Sequence, residues 1–326
     1  MACAVAEEVE EMLELCGVST PCLRSCALLE ERMATPGKDA ELIADARRLA
    51  LGQTLRFLVS AIAERWAGTS SAVCLQKLWF DSMHLCDILA ARGLDFAHRA
   101  TSHATAVLRI LWKAEDATRT LPSGCLSALT EVLWRHGVAA EPALPEDIDS
   151  AERSILHCLG WQIWLPSLHW WLAAFFSRLR VLARERLAAA EEAELAAAMP
   201  QLWQHSYAIG AAVVARAASL GPAAPRALAA GLLALGCVRA GLLPLHGIRP
   251  ERLGAADWEQ VCARAVGSAT ACPAGALAAE VAQILQLATD SSLGAVGEAC
   301  WLVALAVPDA LLLRARLHAA VQPMNN

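Results

Sequence analysis

Residues 152–161 read Glu-Arg-Ser-Ile-Leu-His-Cys-Leu-Gly-Trp, and residues 106–116 read Ala-Val-Leu-Arg-Ile-Leu-Trp-Lys-Ala-Glu-Asp. Both segments have the composition of apolar helices. Lys113 lies near the end of the earlier segment, and Glu152 opens the later one. These charges are either an ordinary surface pair, worth at most ~1 kcal/mol to the fold, or the polar centre of an interface. The surrounding sequence favours the interface.

The rest of the chain also has the character of helices. Alternation of Val, Ile and Thr is nearly absent, the chain has one Tyr, and Ala and Leu dominate. Gly, Pro and Ser separate segments of helical length. The sequence therefore predicts an all-α protein, with helices at 5–16, 23–34, 39–66, 70–91, 97–115, 122–137, 149–160, 167–196, 200–219, 225–240, 255–267, 274–288 and 292–320.

The high apolar content raises the question of membrane spans. Hydrophobic residues make up 56% of the chain, and the mean hydropathy is +0.41. The most apolar runs, 227–238 and 301–307, end at Arg239 and Pro308, short of the ~20 apolar residues that a span needs. The first residues are acidic, unlike a secretory signal. We expect a protein without membrane spans that resides in the nucleus, the cytoplasm or both.

Composition and motifs argue against several classes of site. The twelve cysteines show no paired spacing, and the closest group, Cys16, Cys22 and Cys26, has no nearby histidine, so we predict neither a metal nor another cofactor. A net charge of −6 and the lack of a basic cluster disfavour direct nucleic-acid binding. We find no phosphate-binding loop or hydrolase motif and predict that the chain is not an enzyme.

The breaks between helices predict four regions. The stretch 137–148 is interpreted as a surface loop, and 164–167 as a short ordered link between two similar bundles. The third helix of each bundle, at 97–115 and 225–240, is predicted to be the most buried. The predicted boundaries are a helical extension at 1–38, a first bundle at 39–165, a second at 166–290 and a helical tail at 291–326.

Several fragments, in the right order, resemble the cyclin box. Residues 152–167, with Glu-x-x-Ile-Leu-x-x-Leu-x-Trp followed by Pro-Ser, resemble the cyclin signature, and Trp-Lys-Ala-Glu-Asp at 112–116 resembles the end of the family's third helix. Leu85-Cys-Asp-Ile-Leu89 is similar to the end of its second helix. Arg56 matches the arginine of its first helix, and 225–235 resembles the third helix of its second box.

The resemblance implies two tandem five-helix cyclin folds and a role for each matching residue. Arg56 and Asp87 would form an internal salt bridge, while Lys113 and Glu152 would lie together on the face that meets a protein kinase. Three neighbouring residues complete the implied kinase-binding set: Glu115, Ile155 and Leu156. The implied function is a non-catalytic subunit that binds and activates a cyclin-dependent-kinase-like partner by positioning its regulatory helix. The alternative is a cyclin-fold adaptor, or a transcription-associated interaction protein, that activates no kinase.

The chain departs from the family where some cyclins bind substrates. The positions that match the family's substrate-docking patch are Leu55, Val59 and Ile62, with Arg65 where an acid would lie. Because Arg65 would repel basic peptides, substrate docking is not carried over. Most of the eleven tryptophans are expected in the core, with one or two exposed as interface anchors.

Overall fold

The computed structural model describes residues 10–33, 45–66, 75–94, 96, 98–115, 121–163, 166–216, 225–243 and 273–307. Within these ranges every regular element is helical and no strand occurs, which confirms the all-α prediction. The helix predicted at 255–267 lies outside the described residues, as do the part of the last helix beyond 307 and the side chain of Arg65. No helix of the described ranges combines the length and apolarity needed to cross a membrane.

Eleven helices have bounds within the described residues, and residues 10–15 are helical as well. In chain order they are α1 Thr20–Met33, α2 Asp45–Trp66, α3 Leu75–Ala91, α4 Ala100–Glu115, α5 Ser123–Arg135, α6 Pro145–Cys158, α7 Leu168–Arg186, α8 Ala189–Arg216, α9 Pro225–Arg239, α10 Pro273–Thr289 and α11 Leu293–Ala306.

The chain divides into two compact units. The amino-terminal unit comprises residues 29–169 together with 214–222, and it contains helices α2 to α6. The carboxy-terminal unit comprises residues 170–213 and 223–326 together with 1–28. Residues 10–28 therefore group with the later part of the chain, although they precede the amino-terminal unit in sequence.

Helix α4 is the centre of the amino-terminal unit and packs against α2, α3 and α6. All of its residues from Thr101 to Trp112 are buried except Arg109, which is half-buried. Its polar first turns are buried too, because the Thr105 hydroxyl donates to the Thr101 carbonyl at 2.6 Å and needs no water. The prediction that the third helix of this bundle is the most buried is confirmed.

Helix α9 is the centre of the carboxy-terminal unit, with every residue from 228 to 237 buried. Two glycines bring its neighbours close. A Cβ on Gly231 would lie 2.7 Å from the carbonyl carbon of Ala299 in α11, and one on Gly236 would lie 2.3 Å from Ser206 Oγ in α8. Residues 293–306, which the sequence assigned to a tail, thus pack directly on the central helix of this unit.

Arg178 ties the start of the chain to α10 within the carboxy-terminal unit. Its buried guanidinium donates to the carbonyls of Val18, Leu287 and Ala288 at 2.8, 2.9 and 3.0 Å. It also donates to Thr20 Oγ1 at 3.2 Å. Desolvation by burial lowers the pKa of Arg178, although Glu10 and Asp290 oppose that effect. A charge buried in this way is tolerated because its hydrogen bonds are satisfied.

The loop predicted at 137–148 ends earlier than expected, because α6 begins at Pro145. The helix predicted at 149–160 therefore begins four residues earlier, and Leu144 holds its cap position. Proline suits the first helical position, where its missing N–H has no helical partner. Glu146 and Asp147 in the first turn also favour a helix start there by interacting with the helix dipole.

The boundary between α7 and α8 also differs from the prediction. The sequence predicted one helix over 167–196 and another over 200–219, whereas α7 ends at Arg186 and α8 continues through Pro200. The observed start of α8 is capped, because the Ala188 N–H donates to Glu191 Oε2 at 3.2 Å. A proline inside a helix removes one hydrogen bond, and tertiary packing of the long α8 overrides that cost.

Candidate protein-interaction site

Lys113 and Glu152 meet across two helices that pack against each other. Lys113 lies in the last turn of α4, and Glu152 lies in the middle of α6. The Lys113 ammonium donates to Glu152 Oε1 at 2.5 Å. The side chain of Lys113 is 36% exposed and that of Glu152 is 14% exposed. The pair is therefore held by packed helices but remains accessible from solvent.

Arg109 holds the second oxygen of Glu152. Its Nη1 lies 3.1 Å from Glu152 Oε2 and donates to Asp149 Oδ1 at 2.5 Å. Because one helical turn separates Arg109 from Lys113, both cations reach the same side of α6. We call Arg109, Lys113, Asp149 and Glu152 the Lys113 network. Two cations thus share Glu152, so the loss of either one leaves its carboxylate paired.

A second polar group lies beside the end of α4. Lys77, in the first turn of α3, donates to Glu115 Oε1 and lies 3.2 Å from Asp81 Oδ2. The hydroxyl of Ser167, which directly precedes α7, donates to Asp81 Oδ1. We call Lys77, Asp81 and Glu115 the Lys77 network. The predicted interface residue Glu115 is therefore already paired within the chain.

Burial and charge act against each other in the Lys77 network. Desolvation raises the pKa of Asp81, although Lys77 and the Ser167 hydroxyl favour its ionised form. Desolvation would lower the pKa of Lys77, but attraction to Asp81 and Glu115 outweighs it, so this pKa is raised. Both directions are consistent with one half-buried ammonium that is shared between two carboxylates.

Two residues of the implied kinase-binding set lie in different surroundings. Leu156 is half-buried and can contribute apolar area at the surface. Ile155 is fully buried, and its assignment to a binding surface is therefore wrong. The reason is register: Ile155 lies on the same face of α6 as Ile148, Ala151 and Leu159, and all four belong to the core.

The predicted salt bridge between Arg56 and Asp87 is also wrong. Asp87 Oδ2 accepts from Nη2 of Arg48 at 2.6 Å, and Nη1 of Arg48 donates to the other carboxylate oxygen. The guanidinium of Arg56 instead lies 4.4 Å from the centroid of the Trp79 ring. Arg48 and Arg56 lie about two turns apart on α2. Both contact α3, Arg48 at Asp87 and Arg56 two turns earlier at Trp79.

Trp161 is the most exposed of the described tryptophans, with 66% of its surface accessible. It follows Gly160 at the end of α6, and both residues have positive φ, of 59° and 66°. The Trp161 N–H donates to the Leu156 carbonyl at 2.9 Å and closes the helix end. A left-handed conformation strains any residue except glycine. A large apolar ring is thus held in solvent at a strained position.

Sequence reasoning missed Lys77, Arg109 and Asp149 as members of this site. A signal for Lys77 is present, since the chain contains only three lysines, Lys38, Lys77 and Lys113. The matching positions of a substrate-docking patch offer no surface, because Leu55, Val59 and Ile62 are all buried. A scan of the sequence against protein-family models and a search of curated proteins both find no match.

Proposed function

We propose that this chain is a non-catalytic, cyclin-like regulatory subunit that binds and activates a cyclin-dependent-kinase-like protein kinase. The observation that carries the proposal is the partly exposed Lys113–Glu152 pair, preformed between the packed helices α4 and α6. The order of the cyclin-like sequence fragments supports it, from residues 85–89 through 112–116 to the signature at 152–167. The two units would then correspond to two tandem cyclin folds.

The chemistry of the pair suits the recognition of a polypeptide backbone. The Lys113 ammonium carries three donors and the Glu152 carboxylate only acceptors. Charge-assisted hydrogen bonds to main-chain carbonyl and N–H groups are stronger than neutral ones. Because both side chains lie on packed helices, little conformational entropy is lost on binding.

Leu156 and Trp161 supply apolar area on the same helix. Leu156 follows Glu152 by one turn of α6, and Trp161 ends that helix. Interfaces commonly combine a buried aromatic anchor with polar groups that fix its orientation. Trp161 can serve as such an anchor, because its ring is exposed although its backbone is strained. Backbone strain of this kind is common at binding sites.

In the proposed mechanism the chain binds the active conformation of the kinase more tightly than the inactive one, and the kinase carries out the phosphoryl transfer. Binding that favours the active position of the kinase's regulatory helix shifts its population toward the active state. That helix carries the glutamate that pairs with the lysine at the ATP site. The chain would thereby raise kinase activity without touching ATP or substrate.

The test compares the wild-type chain with the Lys113→Ala/Glu152→Ala variant, each mixed with a panel of purified cyclin-dependent kinases. Size-exclusion co-elution detects binding, calorimetry measures the affinity, and peptide phosphorylation measures the kinase activity. Loss of two charge-assisted hydrogen bonds should weaken binding by about 100-fold or more. The matched control is Arg184→Ala/Glu192→Ala, which removes an exposed ion pair of the carboxy-terminal unit. It should leave affinity unchanged.

Three outcomes separate the candidate functions. Binding with activation, weakened by the double substitution, supports the proposal. Binding of a kinase at undiminished affinity by the double variant shows that the interface is wrong. Binding without any rise in phosphorylation favours the cyclin-fold adaptor.

A further inference from the structure

The chain uses lysine rarely, and two of its lysines lie beside one helix end. Its 27 basic residues include 24 arginines and three lysines. Lys38 lies outside the described residues. Lys77 and Lys113 lie on the packed helices α3 and α4, and each pairs with a glutamate on a neighbouring helix. The chain thus places both described lysines in the same kind of pair.

The two pairs flank the carboxyl end of α4. Lys113 and Glu115 lie in its last turn, about 3 Å apart along the helix axis. They project on nearly opposite sides, since two residues of a helix correspond to a rotation of about 200°. Lys113 therefore meets α6 on one side, and Glu115 meets α3 on the other. A segment that crossed the end of α4 would encounter both pairs.

Stability alone does not account for a lysine at position 77. It lies in the first turn of α3, where a cation opposes the helix dipole. A partly exposed ion pair typically contributes less than about 1 kcal/mol. Arginine would contact two carboxylates with a wider fork of donors, and the chain uses arginine at most other basic positions. What lysine offers is a compact ammonium with three donors that can be redirected.

The charges around the end of α4 define the class of partner. The two networks contain three cations (Lys77, Arg109, Lys113) and four carboxylates (Asp81, Glu115, Asp149, Glu152). An excess of carboxylate repels phosphate groups, which disfavours nucleic acids and phosphopeptides. Alternating ammonium and carboxylate groups instead match the carbonyl and N–H groups of a polypeptide backbone.

We propose that Lys77 and Glu115 form a second polar pair of the docking surface, so that one polypeptide segment of the kinase crosses the end of α4 and engages both pairs. This inference rests on the proposed function and deepens it. The surface then extends from α6 across α4 to the first turn of α3. The Asp81 carboxylate, bound by Ser167, keeps Lys77 in place while the third donor of its ammonium reaches the partner.

Because the chain contains only three lysines, amine-reactive labelling can measure the accessibility of the docking surface directly. An acetylating reagent followed by peptide mass spectrometry reports separately on Lys38, Lys77 and Lys113. The probe is a purified cyclin-dependent kinase that co-elutes with the wild-type chain. We expect the labelling rates of Lys77 and Lys113 to fall together in the complex.

Two substitutions test the second pair by affinity. Lys77→Met and Glu115→Gln should each weaken kinase binding by about 10- to 100-fold, the effect of one charge-assisted hydrogen bond. Glu115→Gln leaves the Lys77–Asp81 pair intact, so it tests the surface even if Lys77→Met perturbs folding. Glu131→Gln is the matched control, since it disrupts the exposed Glu131–Arg135 pair on α5. It should have no effect.

The outcomes distinguish this inference from the proposed function. Protection of both lysines, with weaker binding by both variants, supports the two-pair surface. If Lys113 is protected while Lys77 reacts as in the free chain, this inference is overturned and the proposed function stands. A kinase that binds and protects neither lysine, or the failure of every kinase to bind, overturns both.

Discussion

Arg48 and Asp87 form a two-point ion pair between α2 and α3, with each terminal nitrogen of the guanidinium donating to one carboxylate oxygen. The Nε–H of Arg48 donates to the Val214 carbonyl at 2.7 Å. The Arg48 side chain is nearly fully buried, whereas that of Asp87 is 33% exposed. This pair occupies the place that the sequence assigned to Arg56.

Asp87→Ala should lower the free energy of unfolding by about 2–3 kcal/mol, because it leaves the charge of Arg48 buried and unpaired. The partial exposure of Asp87 keeps the effect below that of a fully buried pair. Urea denaturation measures the change. Arg56→Ala serves as the comparison, since loss of its stacking on Trp79 should cost about 1 kcal/mol. If Asp87→Ala costs no more than Arg56→Ala, the observed pairing does not stabilise the unit.

Gly231→Ala should destabilise the carboxy-terminal unit by about 1–3 kcal/mol through overpacking. Its Cβ would lie 2.7 and 2.8 Å from the carbonyl carbon and oxygen of Ala299, and backbone atoms of a packed helix cannot move aside cheaply. Gly124→Ala is the matched control, because a Cβ there meets nothing within 4 Å. That change should stabilise the chain by up to about 1 kcal/mol. Thermal unfolding of both variants measures the difference, and equal melting temperatures would contradict close packing at Gly231.

Acid should destabilise the protein between pH 6.5 and about 4, in part through His169. Burial lowers the pKa of His169 from 6.5 to about 4, and the nearby charge of Lys77 acts in the same direction. Above pH 6.5 the histidine is neutral in both states, and below it the unfolded chain binds a proton that the folded chain does not. The free energy of unfolding should therefore fall by up to about 3 kcal/mol across this range.

His169→Gln should remove that part of the pH dependence. Burial also lowers the pKa of His84 to about 4 and lowers that of His205, so the variant should keep the part of the slope of unfolding free energy against pH that these two histidines contribute. Denaturant titrations at several pH values between 4 and 7 measure the slope. His136→Gln alters an exposed histidine and provides the control. An unchanged slope in His169→Gln would show that this residue does not titrate on unfolding.

Trp161→Gly should stabilise the fold and weaken kinase binding. Glycine adopts the φ of 66° without strain, so the free energy of unfolding should rise by up to about 1 kcal/mol. Loss of an exposed aromatic anchor should weaken binding by roughly tenfold or more. Chemical denaturation and calorimetry measure the two effects. A variant that gains stability and retains full affinity would show that Trp161 lies outside the interface.

The sequence by itself determined the helical class, the buried central helices α4 and α9, and most helix positions, since these follow from the local spacing of apolar residues. Its resemblance to cyclins led to the prediction that Lys113 and Glu152 lie together, which the geometry shows. Only the tertiary structure decided that Arg48 pairs with Asp87, that Ile155 is buried, and that Lys77 contacts Glu115. Such contacts depend on the register between helices distant in sequence, where a shift of one or two residues changes the face that meets a neighbour. Local periodicity does not specify that register.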